Sequence, residues 1–300
     1  MKNFDFCGNA KKFAFISIVI MLVSLIFNVI FGTAMDISFK GGTLIRYSFS
    51  ETLDESAAQS AVQSVLGNDA TVAVETVNNT EVISISLGDT VSTDTQAKLD
   101  AALKKALPDN KIAQFSSNTL KASMGKLFFI KCLVAVALAA GFLLLYVALR
   151  FRRIGGLSAG VFALLALVHD LLIVYFTFVL FRIPLNDNFV AVMLTILGYS
   201  LNDTIVIYDR IRENRRKMDA KTPMSEIVNI SIRQSFTRTA NTAICTFAAI
   251  LVVTVVAIVL QMDSILSFAL PMLMGIISGF YSSVFLCPPL WAKWVSRKQK

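Results

Sequence analysis

Residues Gly198 to Arg216 read GYSLNDTIVIYDRIRENRR, the end of an apolar run that opens near Asn188 and closes in a dense cluster of arginines. This is the pattern of a helix leaving a membrane: about 20 apolar residues cross the hydrocarbon, and Lys or Arg gathers at one water boundary. Counted inward from Arg210 at 1.5 Å per residue, Asp203 falls roughly 10 Å inside the membrane. A carboxylate there costs at least about 2.5–3.5 kcal/mol, so it must face protein or water, and it marks a functional candidate. Tyr199 and Asp203 stand four apart on one helix face, with Asn202 and Val206 beside them. A plainer reading gives Asn202 and Asp203 only the task of joining helices through hydrogen bonds.

The whole chain supports a membrane setting. Its 300 residues are 55% hydrophobic with a mean hydropathy of +0.67, which several membrane helices explain and a soluble domain does not. The net charge of +8 sits in clusters at Lys2 to Lys12, Arg150 to Arg153, Arg210 to Lys221 and Lys293 to Lys300. With six spans all four fall on one side, so the basic balance records orientation and not nucleic-acid binding. Cys7, Cys132, Cys245 and Cys287 avoid the hydrophilic segment, against a disulfide framework. Their scatter and the single histidine, His169, leave no metal-ligand spacing.

Taken in order, residues 1–12 are a basic N-terminus and 13–33 the first span, retained as an anchor because no small-x-small cleavage site precedes Asp36. Residues 34–126 carry eleven Asp/Glu against eight Lys/Arg and read as an exported domain. They predict strands over 44–49, 71–77, 82–87 and 112–115. One helix, opened by a Thr52–Glu55 capping box, stops at Gly67, and another over 95–107 stops at Pro108. Asn78–Asn79 is the hairpin signal. The βαββαβ order is that of a ferredoxin-like α+β sandwich, so the fold class is a six-span α-helical membrane protein with that domain between spans one and two.

Further spans are expected over 127–149, 155–181, 189–209, 238–260 and 265–290. His169 and Asp170, mid-way through the third, form a second buried polar pair with either a relay or a core role. Asp209 and Arg210 mark the exit of the fourth. Residues 210–237 predict a cytoplasmic basic loop, eight Lys/Arg facing three Asp/Glu from Arg210 to Arg238, that carries an amphipathic helix on the membrane surface, its apolar face Met224, Ile227, Val228 and Ile232. Arg238 then opens the fifth span at a depth to pair with Asp203, or else snorkels to a headgroup. Gly275 and Gly279 predict close helix packing, and Trp291 with Trp294 an interfacial belt before a cytoplasmic tail over 291–300.

The Gly198–Arg216 stretch, followed by SIRQSFTRT at Ser231 to Thr239, closely resembles the SecF family of bacterial protein translocase subunits. The family's His-Asp pair recurs as His169-Asp170, and its Gly-Gly-Thr as Gly41-Gly42-Thr43, although Ser38 stands where the family usually has Asp. The resemblance covers the whole chain. It implies half of a transporter of the resistance-nodulation-division type, paired with SecD so that two six-span halves enclose a polar path. It further implies a place beside the SecYEG channel with a small YajC-like associate, in the bacterial inner membrane, helping unfolded preproteins across by an inward H⁺ or Na⁺ gradient. Asp203 and Arg238 would be the charged residues of ion passage and Asn202 and Thr204 their neighbours. No cofactor beyond the transported ion is expected.

Rival classes are a structural subunit that carries no ions and a small-molecule or lipid exporter of the same superfamily. An enzyme is not expected, since no nucleophile-base arrangement or phosphate-binding glycine loop occurs.

Overall fold

The computed structural model describes residues 4–49, 55–67, 70–77, 80–89, 91–120, 122–219 and 221–298; Thr52 of the predicted capping box and the Asn78–Asn79 turn lie outside them. Helix α1 (Phe6–Phe31) begins well ahead of the predicted Phe13, because Asp5 caps it by accepting from the Gly8 amide. A short α2 (Ile37–Lys40) leads into β1 (Gly42–Ser48), α3 (Glu55–Leu66), β2 (Thr71–Val77), β3 (Thr80–Leu87), α4 (Thr93–Ala106) and β4 (Ala113–Leu120). The strands form one antiparallel sheet in the order β2-β3-β1-β4. Alternation along β1 and β3 turns Ile45, Tyr47, Ile83 and Ile85 into a core with Val62 of α3 and Leu99 and Leu103 of α4. Strand β4 outruns its predicted end at Phe115. Its polar Ser-Ser-Asn-Thr run has little strand propensity, but pairing with β1 from Ala113–Ser48 to Leu120–Gly42 supplies the hydrogen bonds.

The chain continues through α5 (Ala122–Arg150), α6 (Gly156–Leu180), α7 (Asp187–Lys217), α8 (Met224–Val259) and α9 (Asp263–Tyr281), a π-helical turn over Ser282–Leu286, and α10 (Cys287–Lys298). Among the described residues six stretches are long and apolar enough to cross a membrane: α1, most of α5, α6, α7, α8, and α9 continued into α10. Helices α6, α7 and α9 form the buried centre, while α1, α5 and α8 leave side chains such as Phe15, Val29 and Phe142 exposed. Apolar surface of that extent is at home in hydrocarbon and not in water.

Two expectations are corrected here. Residues 210–237 do not form a separate surface helix: α7 runs past Asp209 to Lys217, and α8 starts at Met224 and not at 238. No Gly or Pro interrupts Met224–Val259, so nothing stops the helix. The face carrying Met224, Ile227, Val228 and Ile232 packs into the cluster containing Tyr208, Ile211 and Trp291, so protein and not lipid covers it. Trp291, for its part, is no belt residue. It is fully buried, its indole N–H donates to Ser158 Oγ at 3.0 Å, and its ring meets Tyr208 edge-on at 5.5 Å, leaving only Trp294 exposed.

The sheet joins the helices without a slack linker. Gly41 and Gly42 hold φ of 79° and 131°, and a Cβ on Gly42 would stand 2.3 Å from the Leu87 carbonyl oxygen. On the α5 side, a Cβ on Gly125 would come within 2.8 Å of the Gly41 nitrogen. Thr43 Oγ1 donates to Asp89 O and accepts from Val91 N, both at 3.0 Å. Phe39 is buried between Phe128 and Phe129 of α5 and the Leu185–Phe189 turn. Backbone bonds from Asp36 N to Leu185 O and from Leu185 N to Ala34 O, both 2.9 Å, tie the same segment to the α6–α7 connection.

Candidate functional site

Small residues bring the central helices together. A Cβ on Gly275 would lie 2.5 Å from Ile196 Cδ1, and one on Gly279 3.1 Å from Ser200 Cβ, so α9 approaches α7 as their four-residue spacing predicts. That approach carries Ser278 and Ser282 to Asp170 of α6, which is fully buried. Ser278 Oγ donates to Asp170 Oδ1 at 2.6 Å, with His169 Nδ1 3.0 Å from the same oxygen. Ser200 Oγ and Ser282 Oγ donate to Oδ2 at 2.6 and 2.7 Å. A carboxylate offers about four acceptor sites, so Asp170 is saturated. His169 turns its Nδ1 to Asp170, and its buried Nε2 has no partner.

The π-helical turn extends this network. Pro288 cannot donate to the carbonyl four residues before it, which disfavours regular α-helix there. Ser283, next to Ser282, donates to the Ser200 carbonyl at 3.0 Å, so its 2.9 Å contact with Thr204 Oγ1 has Thr204 as donor. Tyr208, one turn on, donates to Ala159 O at 3.3 Å and lies 3.3 Å from Cys287 Sγ.

Asp203 sits in this column only 2% exposed, and its Oδ2 has no hydrogen-bond partner. The predicted ion pair with Arg238 is not formed. Arg238 is exposed and lines a cleft with Val206, Asp209 and Arg210, which sets it about a turn short of Asp203 along α7. Starting α8 at Met224 fixes that level. Asn202 lies on the exposed face of α7 with Thr195 and Gly198, away from Asp203, and no described residue comes within 4 Å of where a Cβ on Gly198 would stand. Asp209 and Arg210 belong to a band of charge at the helix end. Arg150 of α5 and Arg212 pair with Asp209 at 3.0 and 2.8 Å, and Arg210 with Glu213 at 2.6 Å. Among the described residues no group of three or more His, Cys, Asp or Glu is placed to hold a metal.

Sequence reasoning singled out neither Ser200, Ser278, Ser282 and Ser283 nor Tyr208. Three serines in SGFYSSVF within an apolar run were the available signal, since hydroxyls in hydrocarbon seek partners.

Six membrane-length helices among the described residues, with a small α/β unit between the first and second, define a polytopic membrane protein with carboxyl groups buried among its helices. Residues 98–297 match the family model for the C-terminal region of the protein export membrane proteins SecD/SecF. The chain belongs to that family and is a SecF-type subunit of the protein translocase. It is 30% identical to the SecF of Alicyclobacillus acidocaldarius over 99% of this chain and 95% of that protein. With the SecF of Petrotoga mobilis it shares 31% identity over 100% and 99%. The SecDF of Bacillus subtilis is 28% identical over 100% of this chain, which spans 39% of that longer protein. Among solved structures, the crystal structure of SecDF from Thermus thermophilus, described as a translocon-associated membrane protein, superposes with a TM-score of 0.80 at 28% identity, covering 99% of this chain and 39% of that one. SecDF in a super-membrane-facing form gives 0.64 at 27% identity with the same coverage.

Proposed function

We propose that the chain works beside a SecD-type partner to turn an H⁺ or Na⁺ gradient into movement of its exported domain during late steps of protein export. The observation that carries this reading is Asp203, buried in a membrane-length helix with one carboxylate oxygen unpartnered while Arg238 stays outside. An under-partnered carboxylate in hydrocarbon gains from taking up a cation or a proton, or from Arg238 moving inward. Alternation between these states changes how α7 packs. One charge crossing 100 mV supplies about 2.3 kcal/mol, enough to bias such a two-state element. Thr204 holds the neighbouring turn, and Asp170 with His169 forms the fixed wall of the path. No covalent step is required.

The sheet order with two helices on one face supports a ferredoxin-like domain over 34–126, carried outside the inner membrane with both termini cytoplasmic. Fusion of SecD and SecF in the Bacillus subtilis relative supports the partner, and the exposed Thr195–Gly198–Asn202 stripe of α7 offers it a small, polar surface. The SecYEG channel, a YajC-like protein and unfolded preproteins complete the proposed assembly. The two TM-scores, 0.80 and 0.64, fit a family whose members adopt more than one arrangement.

The test is export of a reporter in cells depleted of the native subunit and complemented with wild type, Asp203→Asn or Arg238→Met at matched membrane levels. Gradient-dependent export is expected to fall to the depleted background with both variants while the complex still assembles. Full export by Asp203→Asn would sink the relay and leave a structural subunit.

A further inference from the structure

Between the carboxyl half of α7 and the amino half of α8 lies an open cleft of about 710 Å³ lined by five cations, Arg210, Arg212, Arg216, Lys217 and Arg238, and two carboxylates. Both carboxylates are already engaged. Asp209 pairs with Arg212 and Arg150, and Glu213 with Arg210 and Lys217, both of the latter at 2.6 Å. Arg216 and Arg238 have no anionic partner among the described residues, so the cleft presents two guanidinium groups without counter-charge.

We propose that this cleft binds the phosphate of an anionic phospholipid. Guanidinium forks match phosphate oxygens in paired hydrogen bonds. The surface above the cleft selects a lipid over a free anion or an acidic peptide. Arg238 begins a face of α8 that repeats at seven-residue spacing through Cys245, Val252 and Val259, all exposed, with Val252 at 63% and Val259 at 72%. At 1.5 Å per residue the rise from Arg238 to Val252 is about 21 Å, more than the roughly 15 Å of one hydrocarbon leaflet. A headgroup held in this cleft, with Arg238 at the end nearer Asp203 and Arg216 nearer the end of α7, would lay its acyl chain along that stripe. The site goes beyond the ion-gradient reading and shares only Arg238 with it, Arg216 having no place in the relay.

The experiment uses the purified full chain in detergent, titrated with dioctanoyl phosphatidylglycerol, dioctanoyl phosphatidylcholine or inorganic phosphate, with bound ligand counted by native mass spectrometry. Phosphatidylglycerol is expected to bind best, because the positive choline group meets the same arginines. Arg216→Gln should weaken it about fivefold and Arg216→Lys much less, at about one Lys/Arg contribution per charge removed. Cys245→Gln, about 10 Å of helix rise from Arg238 and within reach of an eight-carbon chain, should weaken the lipid and leave inorganic phosphate unchanged. Equal phosphatidylglycerol binding by wild type and an Arg216→Gln, Arg238→Gln double variant would overturn the proposal. So would inorganic phosphate binding as tightly as the lipid. Efficient cross-linking in native membranes from Arg216→Cys to a partner protein would assign the cleft to a protein occupant instead.

Discussion

Asp170 and Asp203 lie on adjacent helices of one bundle, at 0% and 2% exposure, and differ in what surrounds their oxygens. Three serine hydroxyls and an imidazole nitrogen complete Asp170, whereas an oxygen of Asp203 has no donor. Burial alone therefore says little about function. A saturated carboxylate has no acceptor site left for a further ligand, and an unsaturated one has.

The contrast is most easily broken by removing each carboxylate. Asp170→Ala strands its donors and is expected to cost about 3–5 kcal/mol, as breaking a buried charged network does, while Asp203→Ala stays within about 1 kcal/mol. Unfolding in mixed detergent and SDS measures both, and equal losses would erase the distinction. Ser278→Ala, which deletes one donor to a charged acceptor, should cost about 1.5–3 kcal/mol, and Ser283→Ala, whose partners are neutral, nearer 1. Gly275→Ala pushes a methyl against Ile196 and is expected to cost about 1–3 kcal/mol. Adding Ile196→Ala should recover part of that loss, and no recovery would place the strain elsewhere.

Tyr47 extends the comparison to the sheet. Its hydroxyl is buried without a partner, and burial pushes its pKa up to about 12. Tyr47→Phe removes an unsatisfied group and should be neutral or stabilising by up to about 1 kcal/mol in thermal unfolding; clear destabilisation would reveal a partner.

The smallest effect belongs to Asp5, an exposed but well-served carboxylate. The Gly8 amide foremost, then Asn229, hold its pKa below the ordinary 3.8. A lowered folded-state value means its stabilisation is present above the unfolded pKa and is lost as pH falls through the folded one. Between pH 6 and 3 the unfolding midpoint of Asp5→Asn should thus fall slightly less than that of wild type. A steeper fall would reverse the assignment.

Hydropathy made the six spans legible, and period-two runs with helix stops at Gly67 and Pro108 made the βαββαβ order legible, because both depend on neighbours in sequence. Asp203 was legible too, since a charge in an apolar run needs no structure to be noticed. The Asp170 cage was not, as its serines lie 30, 108 and 112 positions away and their donor roles exist only once α9 crosses α7. For the same reason the start of α8 was misplaced: a basic, amphipathic stretch looks alike whether lipid or a neighbouring helix covers its apolar side. Trp291 failed on identical grounds, an aromatic at a span end being a belt residue until Tyr208 and Ser158 claim it.

The stem at Phe39 to Gly42 makes the sheet a lever. Strand β1 leaves the fulcrum at once, and its seven residues reach about 23 Å at 3.3 Å each. Tilting it by about 10° sweeps the far end through roughly 4 Å. Because the segment before Phe39 is bonded to Leu185, just ahead of α7, a rotation of the helix that carries Asp203 would reach the base of the sheet through backbone hydrogen bonds and not through a slack loop.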